Sequence, residues 1–144
     1  MKDRAIITVP SHPKYLSLVR DVTARMGDLF GMTESETEDV KLAVDEACSN
    51  VIKHAYRGDI GKKIVVKIRL AKKRFEVTIE DNGLKADEES IKGRNLEDVR
   101  PGGLGTHLIK KAFQVYAFDL RKKKGNRLKL IKYRSENGDK GINS

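Results

Sequence analysis

The sequence predicts an α+β fold, a two-layer α/β sandwich whose mixed, mostly antiparallel sheet is covered on one face by helices. Three observations carry that prediction. Two pairs of segments alternate apolar and polar residues across short turns, as hairpins do; two long segments keep apolar residues at helical spacing; and the two kinds alternate along the chain with short joints. At 144 residues, 38% of them hydrophobic, the chain has the size of one domain around one core. Residues 1–134 read as that domain, and 135–144, SENGDKGINS, as a disordered tail.

Taken in order, RAIITV alternates Ala5, Ile7 and Val9 and reads as a first strand. Ser11 is placed to cap a helix whose apolar positions are Tyr15, Leu18, Val19, Val22, Met26, Leu29 and Phe30, with Gly31 as its stop. Thr33 and Glu36 form a capping-box pattern that opens a second helix, running to about Tyr56. Its apolar stripe is Val40, Ala43, Val44, Ala47, Val51 and Ala55. Gly58 and Gly61 bracket a turn, after which Ile64, Val66, Ile68 and Leu70 alternate, answered by Phe75, Val77 and Ile79 in a hairpin. Residues 82–103 are polar and aperiodic and read as a long loop of the kind that is often functional. A third helix is expected from about Leu104 to Gln114, then a hairpin joining VYAFDL to RLKLIKY around Gly125 and Asn126.

Composition narrows the function classes. No run of about 18 apolar residues occurs, and MKDRAIITVP lacks the apolar core and cleavage site of a secretory signal, so a cytoplasmic protein without a membrane partner is expected. The single cysteine, Cys48, excludes an internal disulfide and a cysteine-rich metal site and reads as a small packing residue. The formal net charge of +9 is uneven: residues 107–134 hold ten Lys or Arg against Asp119 alone, whereas residues 1–60 hold eight against ten Asp or Glu. A basic third suits an acidic protein surface or nucleic acid. With no aromatic-rich single-strand platform and no recognition-helix motif, direct nucleic-acid binding is not expected.

Three motifs carry chemistry. In DEACSNVIKHAY, residues 45–56, Glu46, Asn50 and His54 follow one another at four-residue steps. Glu46 and Asn50 lie about 100° around the helix from Ala47 and Val51, at the edge of the buried face, where a cleft can open. TIEDNG ends a strand in Asp81, with Gly83 two residues on. A carboxylate there can accept a hydrogen bond from an exocyclic amine, and a glycine lets backbone approach a flat ring, a combination that suits adenine. RPGGLG, residues 100–105, places three glycines at the start of a helix, where backbone N–H groups suit phosphates.

In that order, the motifs resemble the ATP-binding family shared by DNA gyrase, the Hsp90 chaperones, sensor histidine kinases and MutL, and most closely its bacterial branch of anti-sigma-factor serine kinases. The resemblance covers roughly residues 4–134. EACSNVIKHAY is similar to the family's Asn-containing helix, DNG to its first glycine box and GGLG to its second. It implies a Bergerat-type fold binding ATP and Mg2+, with Asn50 as the metal ligand and Glu46 as general base. It further implies that Asp81 and Gly83 hold the adenine, and that Gly102, Gly103, Leu104, Gly105 and Thr106 border the triphosphate beneath a lid made from the preceding loop. By the same resemblance the partners are a sigma factor, held inactive, and a small STAS-type antagonist phosphorylated on Ser or Thr, with Arg20 on the first helix as the contact. A homodimer is compatible. A stand-alone domain is expected, since no dimerisation segment with a phosphoacceptor His accompanies it. The alternative is a nucleotide-dependent module that sequesters a partner without transferring phosphate.

The chain departs from the family pattern twice. Lys85 stands where many relatives carry a second glycine of the adenine box. Near the C-terminus, relatives often show Gly-Thr, the Thr contributing to the adenine site, where this chain reads GNRLKL; neither Asn126 nor Arg127 is assigned that part. His54 is read as a packing or orienting residue, and Lys110 and Lys111 are given no phosphate contact.

Overall fold

The structure is a computed structural model that describes residues 3–86 and 103–134. Strand β1 (Asp3–Pro10) leads through a short 3-10 turn (Pro13–Tyr15) into helix α1 (Leu16–Phe30). Helix α2 (Glu34–Asn50) follows, then the hairpin of β2 (Lys63–Leu70) and β3 (Arg74–Asp81). Helix α3 (Gly103–Ala112), β4 (Val115–Phe118) and β5 (Asn126–Tyr133) complete the described chain. The sheet order is β1-β2-β3-β5-β4, and every neighbouring pair is antiparallel. The sheet is thus the antiparallel form of the expected one among the described residues.

Strand alternation decides which face is covered. Ile64, Val66 and Ile68 of β2, Phe75, Val77 and Ile79 of β3, and Leu128 and Leu130 of β5 are buried. Against them pack Val19, Met26 and Phe30 of α1, Val40, Val44 and Ala47 of α2, and Ile109 of α3. Burying each large side chain of this set contributes about 1.5–3 kcal/mol. Helix α2 lies between α1 and α3 and supplies the middle of the layer. Its start is fixed by the expected capping box: Thr33 Oγ1 accepts the Glu36 amide at 3.1 Å while Glu36 Oε1 accepts the Thr33 amide at 3.0 Å.

Three expectations are corrected. Leu18 and Leu29 are 48% and 69% exposed rather than in the core, whereas Leu16 is buried. One helix can turn only one stripe toward the sheet, and Leu16, Val19, Thr23, Met26 and Phe30 occupy it; Leu18 and Leu29 each sit about 100° before a stripe residue. Ser11 does not cap α1. Its hydroxyl donates to the Asp59 carbonyl at 2.7 Å and accepts the Lys62 amide at 3.0 Å, and the turn before α1 is capped by the His12 ring instead. The third helix spans Gly103–Ala112, and Phe113 and Gln114 lie beyond it. The expected tail, 135–144, lies outside the described residues.

Much of the basic third is neutralised in place. Arg127 reaches both Glu80 and Asp119 at 3.4 Å, Arg121 pairs with Asp119 at 2.9 Å, and Lys132 pairs with Glu36 at 3.3 Å. Arg134 stacks over the Phe30 ring, 4.0 Å from its centre. Among the described residues no helix is long and apolar enough to cross a membrane.

Candidate functional site

The site begins where α2 ends. Glu46 and Asn50 are both half-buried on the flank of the helix, as their angular offset from the apolar stripe requires. After Asn50 the helix widens into one π-type turn, Val51–Ala55, closed by the Tyr56 amide donating to the Val51 carbonyl at 2.9 Å. The last carbonyls of a helix have no partner within it and are available to outside donors. The Ala55 carbonyl is used this way, accepting the Leu84 amide at 2.8 Å. Tyr56, buried beside it, donates its hydroxyl to the Lys63 carbonyl at 2.5 Å and accepts the Asn82 amide at 2.9 Å. Burial pushes the Tyr56 phenol above its ordinary range, so it stays a protonated double bridge.

The DNG stretch is therefore docked on the end of α2. A Cβ added to Gly83 would meet the Ala55 oxygen at 2.3 Å and the Ala55 carbonyl carbon at 2.6 Å. The sequence reads this glycine as room for a flat ring; the structure places its close neighbour in the Ala55 backbone instead. From the other side, Gly125, at φ +73°, lies against Asp81 and Asn82, and a Cβ there would fall 2.0 Å from the Asp81 oxygen. Two glycines thus let three backbone segments meet around Asp81.

Asp81 is 3% exposed and sits directly opposite Asn126 in the β3–β5 register. Its Oδ1 accepts the Gly83 amide at 2.9 Å and Asn126 Nδ2 at 3.0 Å, with Oδ2 3.2 Å from the same nitrogen. Burial raises the Asp81 carboxyl above the usual carboxylate range, and the donors from Gly83 and Asn126 oppose that rise.

A cavity of about 490 Å³ opens beside these groups, a size that suits a small organic ligand. Ala47, Asn50 and His54 line it from the long helix, Ile79 and Asp81 from β3, Thr106 and Ile109 from α3, and Tyr116, Phe118 and Leu128 from the last two strands. Arg57 and Lys85 also line it. The Lys85 ammonium donates to the Lys122 carbonyl, while Lys122 Nζ reaches Asn82 Oδ1 at 3.3 Å. Apolar walls with a few polar groups from separate motifs are the usual lining of a small-molecule or cofactor pocket.

Of the residues singled out in the sequence, Asn50, Asp81 and Thr106 share this cavity, and His54 joins them. Glu46 and Gly83 do not line it. Gly102 lies outside the described residues, and of Gly103, Leu104 and Gly105 only the backbone, the first turn of α3, is described. Arg20 is on α1, away from the lining, where its guanidinium pairs with Asp45 of α2. Tyr56, Gly125 and Asn126 are structural members of the site that sequence reasoning misses. For Asn126 the available signal is its position immediately after a turn glycine, but the partner strand is 45 residues distant in the chain.

Residues 9–132 match the family model described as the histidine kinase-like ATPase domain, a span that takes in α1, α2, the whole cavity and most of β5. The chain belongs to the histidine kinase-like ATPase family. Among its relatives, a protein of Listeria innocua named "Serine-protein kinase RsbW" is 34% identical over 117 residues, 76% of this chain and 74% of the relative. Proteins of the same name from Listeria monocytogenes reach the same identity and coverage. A Bacillus cereus protein of that name is 30% identical over 109 residues, 70% of this chain and 68% of the relative. Membership of the histidine kinase-like ATPase family implies the use of ATP and accords with the antiparallel sheet, the single helical layer and the cavity at the end of α2.

Proposed function

We propose that the chain is an ATP-dependent serine/threonine-protein kinase that also acts as an anti-sigma factor, holding a sigma factor inactive and phosphorylating a small STAS-type antagonist. The observation that carries the reading is one cavity bounded by Asn50, Asp81 and Thr106, each from a different motif and in the order the family resemblance requires. The relatives bearing the name serine-protein kinase support the choice of reaction.

In this reading Asp81 accepts the 6-amino group of adenine, while Ile79, Ile109 and Leu128 supply apolar surface around the base. The backbone amides of Gly102, Gly103, Leu104 and Gly105, with the Thr106 hydroxyl, receive the phosphates at the start of α3. Asn50 lines the cavity, and a carboxamide oxygen there would meet the demand of Mg2+ for hard oxygen ligands. When bound, the ion offsets charge on the phosphate oxygens. Glu46, one helical turn before Asn50, takes the proton of the attacking hydroxyl, a step that depends on placement more than on covalent chemistry. Arg20 is the partner contact, and docking there requires exchanging its bond to Asp45.

One observation favours the alternative of sequestration without phosphate transfer, namely that Glu46 stands outside the lining of the cavity. The experiment that tests the proposal is transfer of labelled γ-phosphate from ATP to a purified STAS-type antagonist. Serine or threonine phosphorylation supports the kinase reading. Retention of a sigma factor with ATP but no labelled antagonist supports the alternative.

A further inference from the structure

The residue that most needs a function is Asn126. It is 7% exposed and lines the cavity, yet every one of its polar atoms is turned to the protein. Its Nδ2 donates to Asp81 and, at 2.8 Å, to the Leu84 carbonyl; its Oδ1 accepts the Ala86 amide at 2.8 Å. An amide offers two N–H donors and a carbonyl oxygen with two lone pairs, so both donors and one of the two acceptor positions are engaged by these contacts. The orientation is also forced. Flipping the amide would aim its oxygen at the Asp81 carboxylate and the Leu84 carbonyl and its NH2 at the Ala86 N–H, replacing attractive contacts with repulsive ones.

Two consequences follow for the cavity. Asp81 Oδ1 is taken by both the Gly83 amide and Asn126, so Oδ2 keeps the greater capacity to accept from a ligand. Held by a donor, the carboxylate remains an acceptor, which favours an amine and disfavours a carbonyl oxygen at the ligand position it faces. Residues Leu84 and Ala86, bonded to the same amide, are fixed with it beside the cavity, which both of them line. A threonine hydroxyl, with one hydrogen, could not make this set of contacts.

Resting on the nucleotide reading above, we propose that Asn126 is the positioning residue of the base pocket: it fixes Asp81 as a hydrogen-bond acceptor and ties Leu84 and Ala86 to it, so that the pocket prefers a 6-amino purine over a 6-oxo purine. It does not contact the reacting phosphate and acts through Asp81.

The test is equilibrium binding of ADP and of IDP, which differ at the 6-position, with magnesium, to the parent chain, Asn126→Asp and Asn126→Ala. The parent prefers ADP. Both variants lose about 10-fold or more of their ADP affinity, the scale of one hydrogen bond to a charged group, while IDP affinity changes less and the preference collapses. A merely structural role would weaken both nucleotides alike. Should Asn126→Asp, with two carboxylates in contact, fail to melt cooperatively, Asn126→Ala carries the same comparison without added charge. Variants that keep the parent's ADP preference overturn the proposal, as does a parent that binds ADP and IDP equally, which leaves the nucleotide reading standing. A parent that binds neither overturns that reading and this proposal together.

Discussion

Gly83 presses against the backbone of Ala55 so closely that a side chain at position 83 would overlap the Ala55 carbonyl, at 2.3 Å from its oxygen. The same carbonyl accepts the Leu84 amide, so the strand end that presents Asp81 is fastened to the helix end that presents Asn50. The two halves of the cavity are registered to each other by one residue's lack of a Cβ.

Gly83→Ala is therefore expected to destabilise the fold by about 2–4 kcal/mol, because backbone has to move where packing leaves no space. Urea unfolding followed by circular dichroism measures it. A loss within 0.5 kcal/mol, roughly the range of surface substitutions, would show that the contact is not tight in solution.

Asp81 leads to a pH prediction. Its carboxyl is raised by burial, and in the proposed reading the ionised form accepts the adenine amine more strongly than the protonated form, one of whose oxygens has become a donor. ATP affinity therefore falls as pH is lowered through the Asp81 titration, and begins to fall at a higher pH than an ordinary aspartate would dictate. Asp81→Asn, which presents an amide in place of the charged acceptor, weakens ATP binding about 10-fold or more and removes that acid limb. Calorimetric titrations of parent and variant across the acid range check both statements. An unchanged acid limb in Asp81→Asn would assign the titration to another group.

Cys48 provides a prediction about reactivity. It is wholly buried among the core residues of α2, and burial, with the Asp45 carboxylate adding, pushes its thiol up to about 12. Since the thiolate is the reactive form, the native protein resists a disulfide reagent at neutral pH, and one equivalent reacts after denaturation. Rapid reaction of the folded protein would place Cys48 at the surface.

At the start of α2, Thr33→Ala removes the hydroxyl that accepts the Glu36 amide and is expected to cost about 1 kcal/mol, read as a lower melting temperature with nucleotide binding retained per folded molecule. A melting temperature equal to that of the parent would mean the cap is not formed in solution.

Local pattern made most of the architecture legible in the sequence. The alternation of Ile64 to Leu70 and Phe75 to Ile79 specifies a hairpin with one buried face, and Thr33 with Glu36 specifies the start of α2 to the residue. Asn50, Asp81 and Thr106 were identifiable because each sits in a motif whose backbone setting, helix flank, strand end or helix start, is itself a local property. Contacts between distant strands were not legible. Asn126 faces Asp81 because β5 pairs with β3, a register that no neighbouring residues announce. The same holds for Gly83: its proximity to Ala55 joins a strand end to a helix end that are distant in the chain, and the wide turn Val51–Ala55 itself reads by periodicity as ordinary helix. Leu18 and Leu29 were misplaced for a simpler reason, since α1 carries more apolar residues than one face can bury.

Labelled ATP turnover onto the antagonist, measured beside equilibrium ATP binding in two variants, tests whether this cavity transfers phosphate with Glu46 as base and Asn50 as metal ligand, as proposed. Glu46→Gln keeps shape and helix propensity while removing the basic carboxylate, so transfer falls on the order of 10²-fold or more with ATP affinity little changed. Asn50→Ala lowers both, because nucleotide placement is disturbed before any proton moves. Transfer by Glu46→Gln at the parent's rate would rule out Glu46 as the base, leaving it a solvated flank of α2 beside a cavity that binds nucleotide for another purpose.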